Sequence, residues 1–459
     1  MELEYFAFLF SFFVRFQSCA GLGLNFYPNL SPCNPTGPVG EPLFLTPYIE
    51  SGRAQEGRRA SLVPPLLDDV KSYSGYLTIN KSSGSNLFFW YFPAESQSKD
   101  APVALWLQGG PGGSSMFGLF TETGPLEIKL DLSLRRRKYS WTNDFHMLYI
   151  DNPVGTGFSF TKDPKAYVTN EEEVGRDLYL ALVQFFQLFP EIRRNDFYIT
   201  GESYAGKYIP ALAYAIHANN PSAGVKMNLK GFAIGNGLVD PENMMKYGDY
   251  LWEHGLVDRE GLARFHAVEN SIVDAIRSER FADAAAGFEK VFRLVVETTG
   301  NVDMYDYLID GEDEIKDTII GKFLCQAKVR KSIHVGNLTY NDGSTVASML
   351  REDMMKSVKP WFQVLLEHYR VLLYNGQLDI VVAYPLTVRF VEKLEWSGKD
   401  EYLKAKRKIW TAGGKVAGYS KTAKNFTEIL VRDAGHMVPS DQPLFAYDMI
   451  SKFFKNVPF

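Results

Sequence analysis

At 459 residues with a formal net charge of −5, the chain is long enough for a large core and carries no broad basic field, which argues against a nucleic-acid partner. An apolar fraction of 46% marks it as globular, and an aromatic share of 14% leaves rings over for pocket walls. The seven histidines are scattered and no C-x-x-C or H-E-x-x-H spacing occurs, so neither a metal site nor another cofactor is expected.

In chain order, residues 5–14 form an apolar run too short to span a bilayer, followed by Ser18-Cys19-Ala20. Residues 1–20 therefore read as a signal peptide, the mature chain is expected to have no membrane span, and its destination is the lysosome or the extracellular space. On that route the sequons at Asn29, Asn80, Asn337 and Asn425 become glycosylation candidates. Cys19 leaves with the signal, and Cys33 and Cys325 either pair or stay free. Residues 21–72, rich in Gly, Pro and charge, read as an extended lead-in.

Regular structure begins with Ser74–Ile79 and Asn86–Phe92, separated by Lys81-Ser82-Ser83-Gly84, which predicts a hairpin. Short apolar runs at Pro102–Leu107, His146–Ile150, Asp196–Thr200, Gly231–Ile234 and Val371–Tyr374 suit buried parallel strands. The run Arg135-Arg136-Arg137-Lys138 reads as a solvated loop. Val174, Leu178, Leu182, Phe185 and Phe189 recur at helical spacing behind Glu171-Glu172-Glu173, where a helix dipole favours acids. Strands alternating with helices give an α/β class. From about 241 to 335 the alternation breaks, and Glu260–Phe292 is Ala-rich, charged and helical. A helical cap over 241–335, inserted between core segments 73–240 and 336–459, is the expected layout.

The chemistry centres on Gly201-Glu202-Ser203-Tyr204-Ala205-Gly206, directly after an apolar strand. A turn of the G-x-S-x-G type places the serine on a strained strand-to-helix corner at the sheet's C-terminal edge. The same residues with Lys207 also match G-x-x-x-x-G-K, but Tyr208 stands where a phosphate loop needs Ser or Thr for magnesium. A serine needs a base, and the base an orienting acid, in the chain order Ser, Asp, His. Asp379 follows the strand Val371–Tyr374, and His436 follows Ile429–Val431. Acyl transfer also needs oxyanion donors. The loop Gln108-Gly109-Gly110-Pro111-Gly112-Gly113 follows an early strand, so the amides of Gly110 and Tyr204 are the candidates.

Together these residues resemble the serine carboxypeptidase family from about Ser74 to Phe454. The likeness rests on Leu105–Gly112, Phe120–Pro125, Tyr149–Ser159, Gly201–Gly206, Gly235–Gly237, Asn375–Asp379 and Gly435–Pro443. It implies an α/β-hydrolase fold with a helical cap insertion, and release of C-terminal residues from peptides through an acyl-enzyme on Ser203. It further implies that Gln108, Gly109, Glu122 and Glu202 bind the substrate's terminal carboxylate, with Trp106 and Met437 beside that site and the leaving-group pocket. Two adjacent carboxyls do not both ionise cheaply, so one stays protonated and activity should favour acid. The partners implied are peptide and protein C-termini, and a homodimer is compatible with the sequence. An acyltransferase on the same fold and a non-catalytic binding relative are the competing readings.

Overall fold

The computed structural model describes Cys33 and residues 35–300, 302–309 and 315–459; the expected signal peptide and Asn29 lie outside the described residues. The main sheet has eleven strands: β1 (Leu62–Val63), β2 (Ser72–Asn80), β3 (Ser85–Phe92), β4 (Val103–Leu107), β5 (His146–Ile150), β6 (Phe197–Glu202), β7 (Leu229–Gly235), β8 (Arg370–Gly376), β9 (Lys408–Ala412), β10 (Lys415–Ala423) and β11 (Phe426–Val431). Their spatial order is β1-β2-β3-β5-β4-β6-β7-β8-β11-β10-β9. The run from β5 to β11 is parallel, and the ribbons β1–β3 and β9–β10 at the two sides are antiparallel.

Each central strand is buried on both faces, which is why it reads as an unbroken apolar run. Leu105 and Leu107 of β4 enter the core on one face, while Ala104 and Trp106 enter the core on the other. Helices α1 (Glu171–Leu188) and α2 (Ala205–Asn219) pack against each other and share one of these cores. The start of α1 is set locally. The Asn170 side chain accepts the Glu173 N–H, and Glu173 reaches back to the Thr169 N–H at 2.8 Å.

After β7 come the short helices Pro241–Met244 and Tyr247–Glu253, then the antiparallel pair α3 (Arg259–Arg277) and α4 (Phe281–Thr299), then Ile315–Cys325 and Ala327–Ser332. The segment expected to be an extended lead-in is more ordered than its composition suggests. It carries helices Thr46–Glu50 and Ala54–Ala60 and the edge strand β1. Tertiary contacts hold these short helices, since neither has a side-chain cap: Leu45 is fully buried, and Thr46 Oγ1 donates to Gln184 of α1 at 2.6 Å. Of the two options for Cys33 and Cys325 the structure takes the disulfide, which ties residue 33 to the last described turn of the 315–325 helix.

Candidate active site

β6 ends at Glu202 and α2 begins at Ala205, so Ser203 and Tyr204 turn the corner between them. Ser203 adopts φ 62°, a left-handed conformation that costs a non-glycine residue about 1 kcal/mol or more. Backbone bonds impose it. The Ser203 N–H donates to Gly235 at 3.0 Å, and the Ser203 carbonyl accepts from Gly206 and Leu238. A Cβ on Gly201 would lie 2.2 Å from the Leu107 carbonyl oxygen, so the close approach of β6 to β4 at this corner requires glycine.

The strands β8 and β11, further along the parallel run, carry the candidate base and its orienter past their ends. Asp379 follows β8 and His436 follows β11, as the spacing predicts, and both are fully buried. His436 Nδ1 lies 2.8 Å from Asp379 Oδ2. That oxygen also accepts from Asn236 Nδ2 at 2.6 Å and from the Val382 N–H, while Oδ1 accepts from the Val381 N–H at 2.7 Å. With Nδ1–H donating to the aspartate, Nε2 is left as the acceptor, and it has no hydrogen-bond partner among the described residues. A residue stretch from the helical region secures this face: His436 N–H donates to the Tyr305 carbonyl at 2.7 Å, and Ile380 N–H to the Met304 carbonyl at 3.0 Å.

The glycine loop abuts the nucleophile corner. A Cβ on Gly109 would stand 2.5 Å from the Tyr204 nitrogen and 2.7 Å from Ser203 Cβ, so only glycine lets the loop come this close. Gly110, at φ 112°, also lies in the conformation glycine favours. Next to it Gln108 is buried. Its Nε2 donates to Glu202 at 2.7 Å and to Glu122 at 3.3 Å, and its Oε1 accepts from Trp106 Nε1 at 2.8 Å. Glu122 sits on the π-turn Leu119–Thr123, and each glutamate keeps one buried oxygen with no partner among the described residues. Burial lifts Glu122 from 4.5 to about 7. Burial, and then the neighbouring Glu122, push Glu202 well above the usual carboxylate range. The pair therefore shares at least one proton up to near neutrality.

Trp106, Glu122 and Glu202 converge on Gln108. Trp106 is buried beneath Gln108, and Met437 is half-buried directly after His436. The sequons at Asn80, Asn337 and Asn425 are exposed, away from the core. Sequence reasoning missed several supports. Asn236, in the Gly235-Asn236-Gly237 turn after β7, braces Asp379 by the same past-the-strand logic that located Asp379 itself. Asp441 Oδ2 accepts the Gly435 N–H at 2.8 Å. The basic run Arg135–Lys138 is not wholly a solvated loop: Leu134–Arg136 pairs with Leu126–Ile128, and Arg137 is buried. Arg137 donates to the carbonyls of Phe120 and Gly124, acceptors that the end of the Glu122 turn leaves unsatisfied.

A strained serine at a strand-to-helix corner, a histidine held by a buried aspartate, and a glycine loop against the serine define a serine hydrolase of the α/β-hydrolase fold. The serine carboxypeptidase family model matches residues 64–456, and the chain belongs to that family. It is accordingly an enzyme that releases C-terminal residues from peptides. It is 49% identical to the human protein named "Probable serine carboxypeptidase CPVL", over 95% of this chain and 94% of that one. It is 47% identical to the vitellogenic carboxypeptidase of Aedes aegypti over 92% of each. The crystal structure of the prohormone-processing carboxypeptidase Kex1(Δ)p from Saccharomyces cerevisiae superposes with a TM-score of 0.78 at 26% identity, covering 87% of this chain and 96% of that one.

Proposed function

We propose that Ser203 attacks the last peptide bond of a peptide substrate while His436 Nε2 takes its proton, with Asp379 fixing the tautomer and favouring the imidazolium. The amides of Gly110 and Tyr204 receive the charge that develops on the carbonyl oxygen. Collapse breaks the C–N bond, His436 returns the proton to the departing amino acid, and an acyl-enzyme remains on Ser203. Water, deprotonated by His436, then attacks that ester; the bond between the acyl carbon and the Ser203 oxygen breaks, His436 returns the proton to the Ser203 oxygen, and the shortened peptide leaves.

The buried Glu122–Glu202 pair is the observation that makes this an exopeptidase site. A shared proton between two carboxyls with unpartnered oxygens, joined to Gln108 and next to Ser203, offers a donor to the substrate's terminal carboxylate. The Gly109 N–H completes that cradle, Trp106 holds Gln108 in place, and Met437 flanks the departing residue. Peptidase activity is highest in acid, because ionising the pair above about 7 repels the substrate carboxylate. The Cys33–Cys325 disulfide and the exposed Asn80, Asn337 and Asn425 support passage through the secretory route, with glycans on those residues and a lysosomal or extracellular destination.

Release of the C-terminal amino acid from an N-blocked dipeptide, followed from pH 4 to 8, tests the reading. The wild type turns over fastest in acid, and Ser203→Ala loses at least about 10⁴-fold in kcat while keeping its fold. Folded wild-type protein that neither turns over such peptides nor is labelled at Ser203 by a fluorophosphonate overturns it.

A further inference from the structure

Beside the nucleophile corner lies a second set of buried charges that the scheme above does not use. Lys207, one turn into α2, is fully buried, and its Nζ donates to the Asp353 backbone carbonyl and to Asp353 Oδ2 at 3.3 Å. Asp353 opens the short turn Asp353–Met355, which packs on α4 of the helical region. Glu171, the first residue of α1, is also buried, and the side chain within its hydrogen-bonding reach is that of Tyr204. Tyr204 is buried too, its hydroxyl faces Glu171 within hydrogen-bonding reach, and of all charges Glu171 acts on it most strongly.

This cluster reaches both walls of the oxyanion site. Tyr204 supplies one of its two donors through the backbone, and the Lys207 ammonium stands 5.4 Å from the Tyr204 ring. That ring packs edge-on against Tyr208 at 5.1 Å, whose hydroxyl accepts the Gly112 N–H at 3.3 Å, two residues past Gly110. A buried carboxylate close to Asp353, with the Tyr204 hydroxyl beside it, is destabilised by desolvation and by the like charge. As a carboxylic acid, Glu171 leaves Lys207 and Asp353 to balance each other and has a proton to give. Burial raises its pKa from 4.5 to about 8, partly opposed by Lys207 and reinforced by Asp353.

We propose that Glu171 is a positioning residue for the reaction: its neutral carboxyl, beside the Lys207–Asp353 pair, fixes the Tyr204 side chain and so aims the Tyr204 N–H at the oxyanion. The inference rests on the reading of Ser203 as nucleophile. The groups that face Glu171 are Lys207 and Tyr204 at the start of α2 and Asp353 from the turn; Lys356 of the segment after that turn faces Lys207. Above about pH 8 Glu171 ionises, a second negative charge appears beside Tyr204, and kcat falls. KM is spared, because the terminal carboxylate is held elsewhere, by Gln108 and the Glu122–Glu202 pair.

The test compares the full-length wild type with Glu171→Gln and Glu171→Ala from pH 5 to 9.5, reading kcat and KM on a blocked dipeptide and the rate of Ser203 labelling by a fluorophosphonate. Glu171→Gln keeps kcat within about twofold at pH 6 and lacks the alkaline fall in kcat, while Glu171→Ala loses about tenfold or more in kcat with KM within about twofold. If Glu171→Ala does not fold, the Glu171→Gln profile decides alone. An alkaline limb in Glu171→Gln that matches the wild type, or a change in KM without one in kcat, overturns the proposal. Labelling needs no peptide turnover, so unchanged labelling rates in both variants refute positioning even where the peptidase reading has already failed.

Discussion

Two buried acid sites lie within one active centre, and they differ in how many donors reach them. Asp379 receives Asn236, the Val381 and Val382 amides and His436, so its lone pairs are occupied by the protein. Glu122 and Glu202 lie against each other and both accept from Gln108, and among the described residues each keeps one buried oxygen that no side-chain or backbone N–H reaches. Equal burial therefore yields opposite roles. In the proposed function the first site, already satisfied by the protein, orients His436, and the second receives the substrate's carboxylate.

Asp379→Asn breaks the satisfied side hardest. Every group around that carboxyl is a donor, so an amide must point its own N–H₂ at one of them, and His436 loses the acceptor that sets its tautomer. We expect kcat to fall about 10³- to 10⁴-fold with KM little changed, measured by steady-state peptide hydrolysis. A loss expressed mainly in KM would mean that Asp379 belongs to substrate binding instead.

The satisfied side was also the more legible in sequence. Ser203, Asp379 and His436 each stand just past an apolar run, and a strand end is a position that six or seven residues suffice to mark. Glu122 has no such local signature. It lies on a π-turn whose unsatisfied carbonyls are met by Arg137, a residue that sequence alone placed in a solvated run, so only the family likeness brought Glu122 inward. β9 and β10 were likewise hidden, because the antiparallel ribbon at this side of the sheet leaves several of their residues exposed and replaces an apolar run with a mixed one. The lead-in helices owe their existence to distant partners such as Gln184, which no local window contains.

The glutamate side is probed by fixing its proton count. The double variant Glu122→Gln with Glu202→Gln keeps both shapes and removes the titration. Wild-type KM for a blocked dipeptide rises about fivefold between pH 7 and 8, one unit above the Glu122 value, whereas the double variant shows a flat KM and an unchanged kcat. A rise in KM that persists in the double variant would move the titrating group elsewhere.

The smallest effect is on stability, and it separates acids that serve a ligand from acids that serve the fold. Burial raises Glu122 from 4.5 to about 7, and Asp151 from 3.8 to about 6. In both cases the folded state binds the proton more tightly than the unfolded chain does. Their contribution is thus fully present below the unfolded values, near pH 4, and is lost as pH climbs through 6 and 7. The melting temperature should drop by a few degrees from pH 5 to 8. Replacing both glutamates by glutamine flattens that slope at no cost in acid, since Gln108 can still pair with an amide oxygen. Asp151→Asn lowers the melting temperature at every pH. Its carboxyl accepts from Ser114 Oγ and the N–H groups of Ser115 and Phe158, and an amide turned either way presents N–H₂ to at least one of these donors.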